Sequence, residues 1–184
     1  MVNAFKKLST SLPGVLILEP RVFGDERGFF LESYNQQAFA ELGIETRFVQ
    51  DNHSSSRRRV LRGLHYQIQQ TQGKLVRAVE GEILDVAVDM RRSSPTFGAW
   101  EAVMLSSENK RMLWIPPGFA HGFHVLSEIA QVLYKTTDYY APEHERTVMW
   151  NDPNLKIDWK LNGEPIVSAK DQRGALLRDA ETFE

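Results

Sequence analysis

Apolar and polar residues alternate over short stretches through most of this chain, the period expected of half-buried β-strands. Ile83–Met90 shows it most clearly: Leu84, Val86 and Val88 fall on one face, with Asp85 and Asp89 on the other. The same reading predicts strands over Val15–Leu18, Val60–Gln67, Lys74–Val79, Trp100–Leu105, Arg111–Ile115, Phe119–Leu126 and Gln131–Thr137. Glu80-Gly81-Glu82, between two of these runs, predicts a hairpin. Val22–Phe30 reads as a turn-rich loop leading into an aromatic strand. A helical pattern is convincing only over Gln36–Leu42, with Asn35 as its N-cap and Gly43 as its left-handed cap. Ala169–Thr182 is a second candidate helix. Many short strands separated by turns predict an all-β sandwich or barrel with a few short helices.

Composition narrows the class without changing that picture. A chain of 184 residues, 42% hydrophobic and 25% charged, is predicted to form one domain over residues 1–184 with a sizeable core. A formal net charge of -2 provides no field to recruit nucleic acid or an anionic membrane, so neither is expected as a partner. There is no cysteine, which removes disulfides, thiolate metal sites and a cysteine nucleophile together. The aliphatic run Val15–Leu18 is too short for a signal segment or a membrane span, and a cytoplasmic location is expected. No G-x-G-x-x-G, G-x-x-x-x-G-K-[ST] or G-x-S-x-G motif occurs.

The chemistry centres on Val60-Leu61-Arg62-Gly63-Leu64-His65-Tyr66-Gln67. His65 is either a general base or a core histidine bonded to a backbone carbonyl. Arg62, in an otherwise apolar strand, needs an anion, which is either a ligand or an internal carboxylate such as Asp85. A regular strand would send Arg62 and His65 to opposite faces, so both can face one site only if the strand is bulged at Gly63. His121 and His124 suggest a metal site with His65. Strand geometry points the first two in opposite directions, however, and no H-x-H pair occurs, so no metal is predicted. His121 is read as a donor to ligand and His124 as structural. Tyr134 shares a strand face with Val132 and Thr136, which alone reads as core or interface. Asp171 either caps the last helix or orients a histidine. Arg57-Arg58-Arg59 reads as a solvated loop.

Taken in order, several motifs form a series. Phe23-Gly24-Asp25-Glu26-Arg27-Gly28-Phe29-Phe30-Leu31-Glu32, Phe48-Val49-Gln50-Asp51-Asn52-His53-Ser54 and Leu61-Arg62-Gly63-Leu64-His65-Tyr66-Gln67 open it. Gln72-Gly73-Lys74-Leu75-Val76-Arg77, Asp85-Val86-Ala87-Val88-Asp89 and Ser94-Pro95-Thr96-Phe97-Gly98 continue it. Ile115-Pro116-Pro117-Gly118-Phe119-Ala120-His121-Gly122-Phe123, Leu133-Tyr134-Lys135 and Ser168-Ala169-Lys170-Asp171 complete it. Over nearly its whole length the chain closely resembles the dTDP-4-dehydrorhamnose 3,5-epimerase family.

That resemblance implies a cupin-type jelly-roll β-sandwich, a homodimer, no metal and no cofactor. It implies inversion at C3 and C5 of dTDP-4-dehydro-6-deoxy-D-glucose on the route to dTDP-L-rhamnose. His65 matches the family's base, Asp171 its carboxylate partner and Tyr134 its acid, with Lys74 and Arg62 near the enolate oxygen. Arg27, Glu32, Gln50, Asp51, Asn52, His121, Glu145 and Lys170 match positions that hold nucleotide, diphosphate or sugar. Phe23, like Phe29, either stacks on the thymine or belongs to the core. Competing readings are an epimerase of one carbon only, a non-catalytic jelly roll that binds a sugar nucleotide, and a metal-dependent cupin enzyme.

Overall fold

The computed structural model describes residues 4–184, so Met1 to Asn3 of the predicted domain lie outside the described residues. In chain order the strands begin with β1 (Phe5–Ser9), β2 (Leu16–Pro20), β3 (Val22–Asp25) and β4 (Gly28–Leu31). Helix α1 (Gln36–Glu41) precedes β5 (Gln50–Arg57), β6 (Val60–Gln67), β7 (Lys74–Glu80), β8 (Glu82–Asp89) and β9 (Trp100–Ser106). There follow β10 (Met112–Ile115), β11 (Phe119–Val125), β12 (Ile129–Thr136), β13 (Glu145–Thr147) and β14 (Ile166–Val167). One six-stranded sheet runs β1-β2-β10-β7-β12-β5, and a second runs β13-β6-β11-β8-β9 with β14 beside β6. All ladders are antiparallel except β14 on β6. This is the all-β architecture that the alternation predicts and the cupin-like one that the family resemblance implies. Among the described residues no helix is long and apolar enough to cross a membrane.

Alternation within the strands sorts side chains into three apolar clusters. Val76, Ile83, Leu105, Leu113, Phe123 and Val132 meet between the two sheets. On the outer face of the second sheet, Leu61, Leu64, Tyr66, Leu84 and Val86 are covered by Val148, Leu155 and Trp159 from the C-terminal segment. On the outer face of the first, Leu18, Leu75, Met112 and Trp114 pack under Phe39 of α1 and Ile44. Each fully buried aliphatic side chain of this kind contributes roughly 1.5–3 kcal/mol. Asn35 caps α1 as predicted, its Oδ1 accepting from the Ala38 N–H at 3.1 Å, and Gly43 follows the last turn at φ +87°.

Three local expectations fail for physical reasons. Glu80-Gly81-Glu82 is not a hairpin turn: β7 already pairs with β10 and β12, and β8 with β11 and β9, so Gly81 carries the chain from one sheet to the other. A Cβ on Gly81 would lie 2.0 Å from the Ile129 carbonyl oxygen, which only glycine avoids. Ala169–Thr182 is not an α-helix but two 3₁₀ turns, Asp171–Arg173 and Leu177–Asp179. Its backbone bonds outward instead: the Ala175 N–H donates to the Thr147 carbonyl at 2.9 Å, and the Ala175 carbonyl accepts from the Met149 N–H at 2.8 Å. Finally, the aromatic strand expected at the end of Val22–Phe30 forms as β4, but the stretch before it is no loop: it is β3, and the two pair as a ribbon separate from both main sheets.

Candidate active site

The sandwich opens at one end into a cavity of about 360 Å³ lined by residues of β5, β6, β7, β11, β12 and β13. Gln50, Asn52, Arg62, His65, Lys74, His121, Tyr134 and Glu145, eight of the residues expected to meet ligand, line it together. They converge because inward positions of neighbouring strands fall in register: Tyr134 lies opposite Asn52, and Thr136 opposite Lys74.

Strand β6 reaches the cavity on both sides of Gly63, through Arg62 before it and from His65 onward after it. Its register against β11 pairs Phe123 with Arg62 and His121 with His65, so three steps on β6 face two on β11. The extra residue is Gly63, a bulge that puts Arg62 and His65 on the same side while Leu61 and Leu64 both point to the outer cluster. Gly63 has φ +128°, and a Cβ there would sit 2.5 Å from Cα of Gly122. The N–H freed by the bulge points to Asp171 Oδ2, at 3.4 Å.

Asp171, almost fully buried, holds the imidazole of His65: Oδ1 is 2.6 Å from Nε2. Burial alone would raise the Asp171 carboxyl. The His65 bond and charge, the Gly63 N–H and Ser168 outweigh it, and the group stays below its usual range. Its role is not that of a helix cap. Lys74 is buried beside His65, its ammonium donating to the His65 carbonyl at 3.2 Å. Burial pushes Lys74 down to about 8, against the supporting charges of Glu145 and Asp85. Burial also raises Tyr134, with Arg62 pulling the other way. Glu145 takes the Lys170 ammonium at 2.8 Å and the Tyr140 hydroxyl at 2.9 Å. Burial raises its carboxyl, but those two partners more than offset this and leave it lowered.

Arg62 differs from the internal-pair expectation. It is exposed to the cavity, its Nε donates to Ser56 Oγ at 3.0 Å, and Asp85 pairs with His121 instead. Lys170 lines an adjoining cleft with Arg62, His65 and Asp171. His124 is buried on the opposite strand face, its ring bonded to the Trp159 carbonyl. Among the described residues no three His, Asp or Glu side chains cluster as a metal site.

Four residues expected at the ligand lie elsewhere. Asp51 is on the outward face of β5, paired with Lys135 at 2.8 Å, because it alternates with Gln50 and Asn52. Phe23 and Arg27 are on the β3–β4 ribbon, where Arg27 grips Asp25, and Phe23 is exposed rather than part of the core. Glu32 follows the ribbon and does not line the cavity. Conversely, Tyr140, Gln72 and Ser54 line it without having been singled out in the sequence. Ser54 alternates with Gln50 and Asn52 and was legible from that spacing, whereas Tyr140 lies in an irregular stretch with no periodic signal.

The dTDP-4-dehydrorhamnose 3,5-epimerase family model matches residues 9–179 of the chain. A dTDP-4-dehydrorhamnose 3,5-epimerase of Pseudomonas aeruginosa is 64% identical over 179 residues, covering 97% of this chain and 99% of that protein. The solved 3,5-epimerase of Legionella pneumophila, in complex with dTDP-4-keto-L-rhamnose, superposes with a TM-score of 0.94 at 54% identity, over 96% of this chain and 95% of that one. A 3′-monoepimerase of Streptomyces bikiniensis, in complex with dTDP-quinovose, superposes at 0.87 with 34% identity, over 92% and 86%.

Proposed function

The chain belongs to the dTDP-4-dehydrorhamnose 3,5-epimerase family and is an isomerase of that type, and from this premise we propose how its cavity works. The substrate is dTDP-4-dehydro-6-deoxy-D-glucose and the product dTDP-4-dehydro-L-rhamnose. The C4 ketone acidifies the hydrogens on both neighbouring carbons, C3 and C5, so each centre can be inverted through an enolate without a redox step.

One observation carries the assignment: His65 is coupled to buried Asp171 at 2.6 Å and opens into a cavity shared with Lys74 and Tyr134. A carboxylate only accepts, so the imidazole proton lies on Nε2 and Nδ1 is the free base. His65 Nδ1 takes the C–H proton, and the electron pair moves onto the C4 oxygen. The Lys74 ammonium, still charged at neutral pH with its value near 8, balances that enolate. Tyr134, raised by burial and therefore protonated, returns a proton to the opposite face. Imidazolium and tyrosinate reset by exchange with solvent before the second carbon reacts. Arg62, His121 and Lys170 supply donors for the diphosphate, and Gln50, Asn52 and Glu145 hydrogen-bond the sugar or nucleotide.

The chain works as a homodimer in this reading, with the β3–β4 ribbon of one copy meeting the cavity of the other. Phe23, Phe29 and Phe30 are 51%, 62% and 67% exposed on that ribbon, an apolar patch that favours a cover. Such a cover would bring Phe23, Arg27 and Glu32 to a ligand that their own cavity does not offer them.

The test is solvent exchange. His65→Ala, folded, loses deuterium incorporation from heavy water at both C3 and C5; retained exchange at either carbon would falsify the single-base mechanism. Tyr134→Phe keeps exchange longer than it keeps product formation, and an equal loss of both makes Tyr134 a binding residue. The second reading, inversion of one carbon only, is favoured by the likeness to the Streptomyces monoepimerase. NMR of the product distinguishes the two.

A further inference from the structure

Of the buried acids that the mechanism above leaves unused, one is bonded to a histidine of the cavity wall. Asp85 is fully buried on β8, facing the space between the sheets beside Ile83 and Ala87. Its Oδ1 lies 2.8 Å from Nε2 of His121, and its Oδ2 has no partner among the described residues. His121, itself buried, lies directly across the ladder from His65 and lines the same cavity. The cavity wall therefore holds two parallel His–Asp couples, each with Nε2 turned to a buried carboxylate.

We infer that Asp85 is a positioning residue for the epimerase reaction: it holds the Nε2 proton of His121 and so turns Nδ1 toward the substrate. A carboxylate in a low-dielectric interior is costly unless a donor meets it, and it can only accept. That fixes the tautomer of His121, in the way that outer partners fix the rings of metal-binding histidines. Nδ1 has no protein partner among the described residues and is left for the ligand. When an anionic oxygen of the substrate arrives there, a proton on Nδ1 meets it and the Asp85 charge balances the imidazolium. The inference rests on the proposed function only in taking this cavity as the substrate site.

The test joins spectroscopy to kinetics on the full chain. In wild-type protein without ligand, long-range ¹⁵N–¹H correlation should find the His121 proton on Nε2, and adding thymidine diphosphate should not move it off. A proton on Nδ1 with bare Nε2 overturns the proposal, whatever the reaction turns out to be. In Asp85→Asn the amide can donate to Nε2, and the proton should shift to Nδ1. The kcat/KM should then fall roughly 10–100-fold, by analogy with the loss on removing the outer carboxylate partners of metal-binding histidines. Asp85→Asn in a His121→Gln background should cost nothing further; a second full loss there means that Asp85 acts through the fold and overturns the role. Should Asp85→Asn not fold, the wild-type spectrum still decides. Deuterium exchange into the substrate by wild-type enzyme, run alongside, reports separately on the reaction itself.

Discussion

The cavity and the β3–β4 ribbon carry the same kinds of residue, and their settings are opposite. At the cavity, Lys74 and Asp85 are buried on central strands and Asp171 on a 3₁₀ turn, with every charge beside a partner of opposite sign or a hydrogen-bond donor. On the ribbon, Arg27 and Asp25 grip each other in open solvent, an arrangement that contributes little to stability. The cavity is built before a ligand arrives. The ribbon is unfinished within one chain, its rings and its arginine turned outward. Burial makes the first region a device that alters proton affinities, and exposure leaves the second as a surface that can only add contacts.

That contrast can be pressed from its strongest side. His65→Ala should lower kcat by about 100- to 10,000-fold, the usual contribution of a general base, while substrate still binds by calorimetry. Lys74→Met comes next. Losing the charge that faces the enolate should lower kcat roughly 100- to 1,000-fold. The same change should stabilise the fold, because a fall from 10.5 to about 8 means that burying the ammonium costs about 3 kcal/mol at neutral pH. A melting temperature below wild type would contradict this. The sign follows from linkage: between pH 8 and 10.5 the unfolded chain binds more protons at Lys74 than the native one. The Lys74 contribution to stability therefore rises with pH through that window, while activity falls as the ammonium is lost above about 8.

On the ribbon side, Arg27→Ala should raise KM by about 10-fold and leave kcat unchanged. Mixing it with His65→Ala protein sharpens the point. If the ribbon serves a partner's cavity, mixed dimers recover one intact site, and at substrate well below KM activity rises above that of either variant alone. Mixing without any recovery would mean that the ribbon does not act across a dimer. The smallest change is far from both regions: Asn35→Ala removes the cap of α1 and should cost about 1 kcal/mol of stability in thermal melts, with kinetics untouched.

Much of this was legible before any fold was known, because a period of two marks both strand and facing. Arg62 and His65 could be named from their strand, and Gly63 as the place where alternation must break, whereas Tyr134 and Lys74 were named only through the family resemblance, the strand face of Tyr134 alone reading as core or interface. What failed was long-range. Glu80-Gly81-Glu82 has the local chemistry of a hairpin, and only the other partners of β7 and β8 show that the chain changes sheets there. Ala169–Thr182 has a helical composition, but the sheet edge at Thr147 and Met149 takes its backbone hydrogen bonds. Asp51 was grouped with Gln50 and Asn52 by adjacency in a motif, although alternation alone sends it to the other face. Likewise, Asp85 stood out as a polar residue in an aliphatic strand, and its partner proved to be His121 rather than Arg62.

The glycine bulge in β6 also sets a counting rule for the chain. Upstream of Gly63 the even-numbered residue Arg62 faces inward; downstream the odd-numbered His65 and Gln67 do, so the strand runs in two phases joined at one residue. Deleting that residue would restore perfect alternation with every side chain facing as it does now; straightening the strand with Gly63 kept as a regular residue would instead reverse everything after it, sending Leu64 and Tyr66 toward the cavity and His65 into the apolar layer beneath. The bulge is thus what keeps His65 in the cavity, and a strand in which Gly63 joined the ladder as an ordinary residue would lose the site without losing the strand.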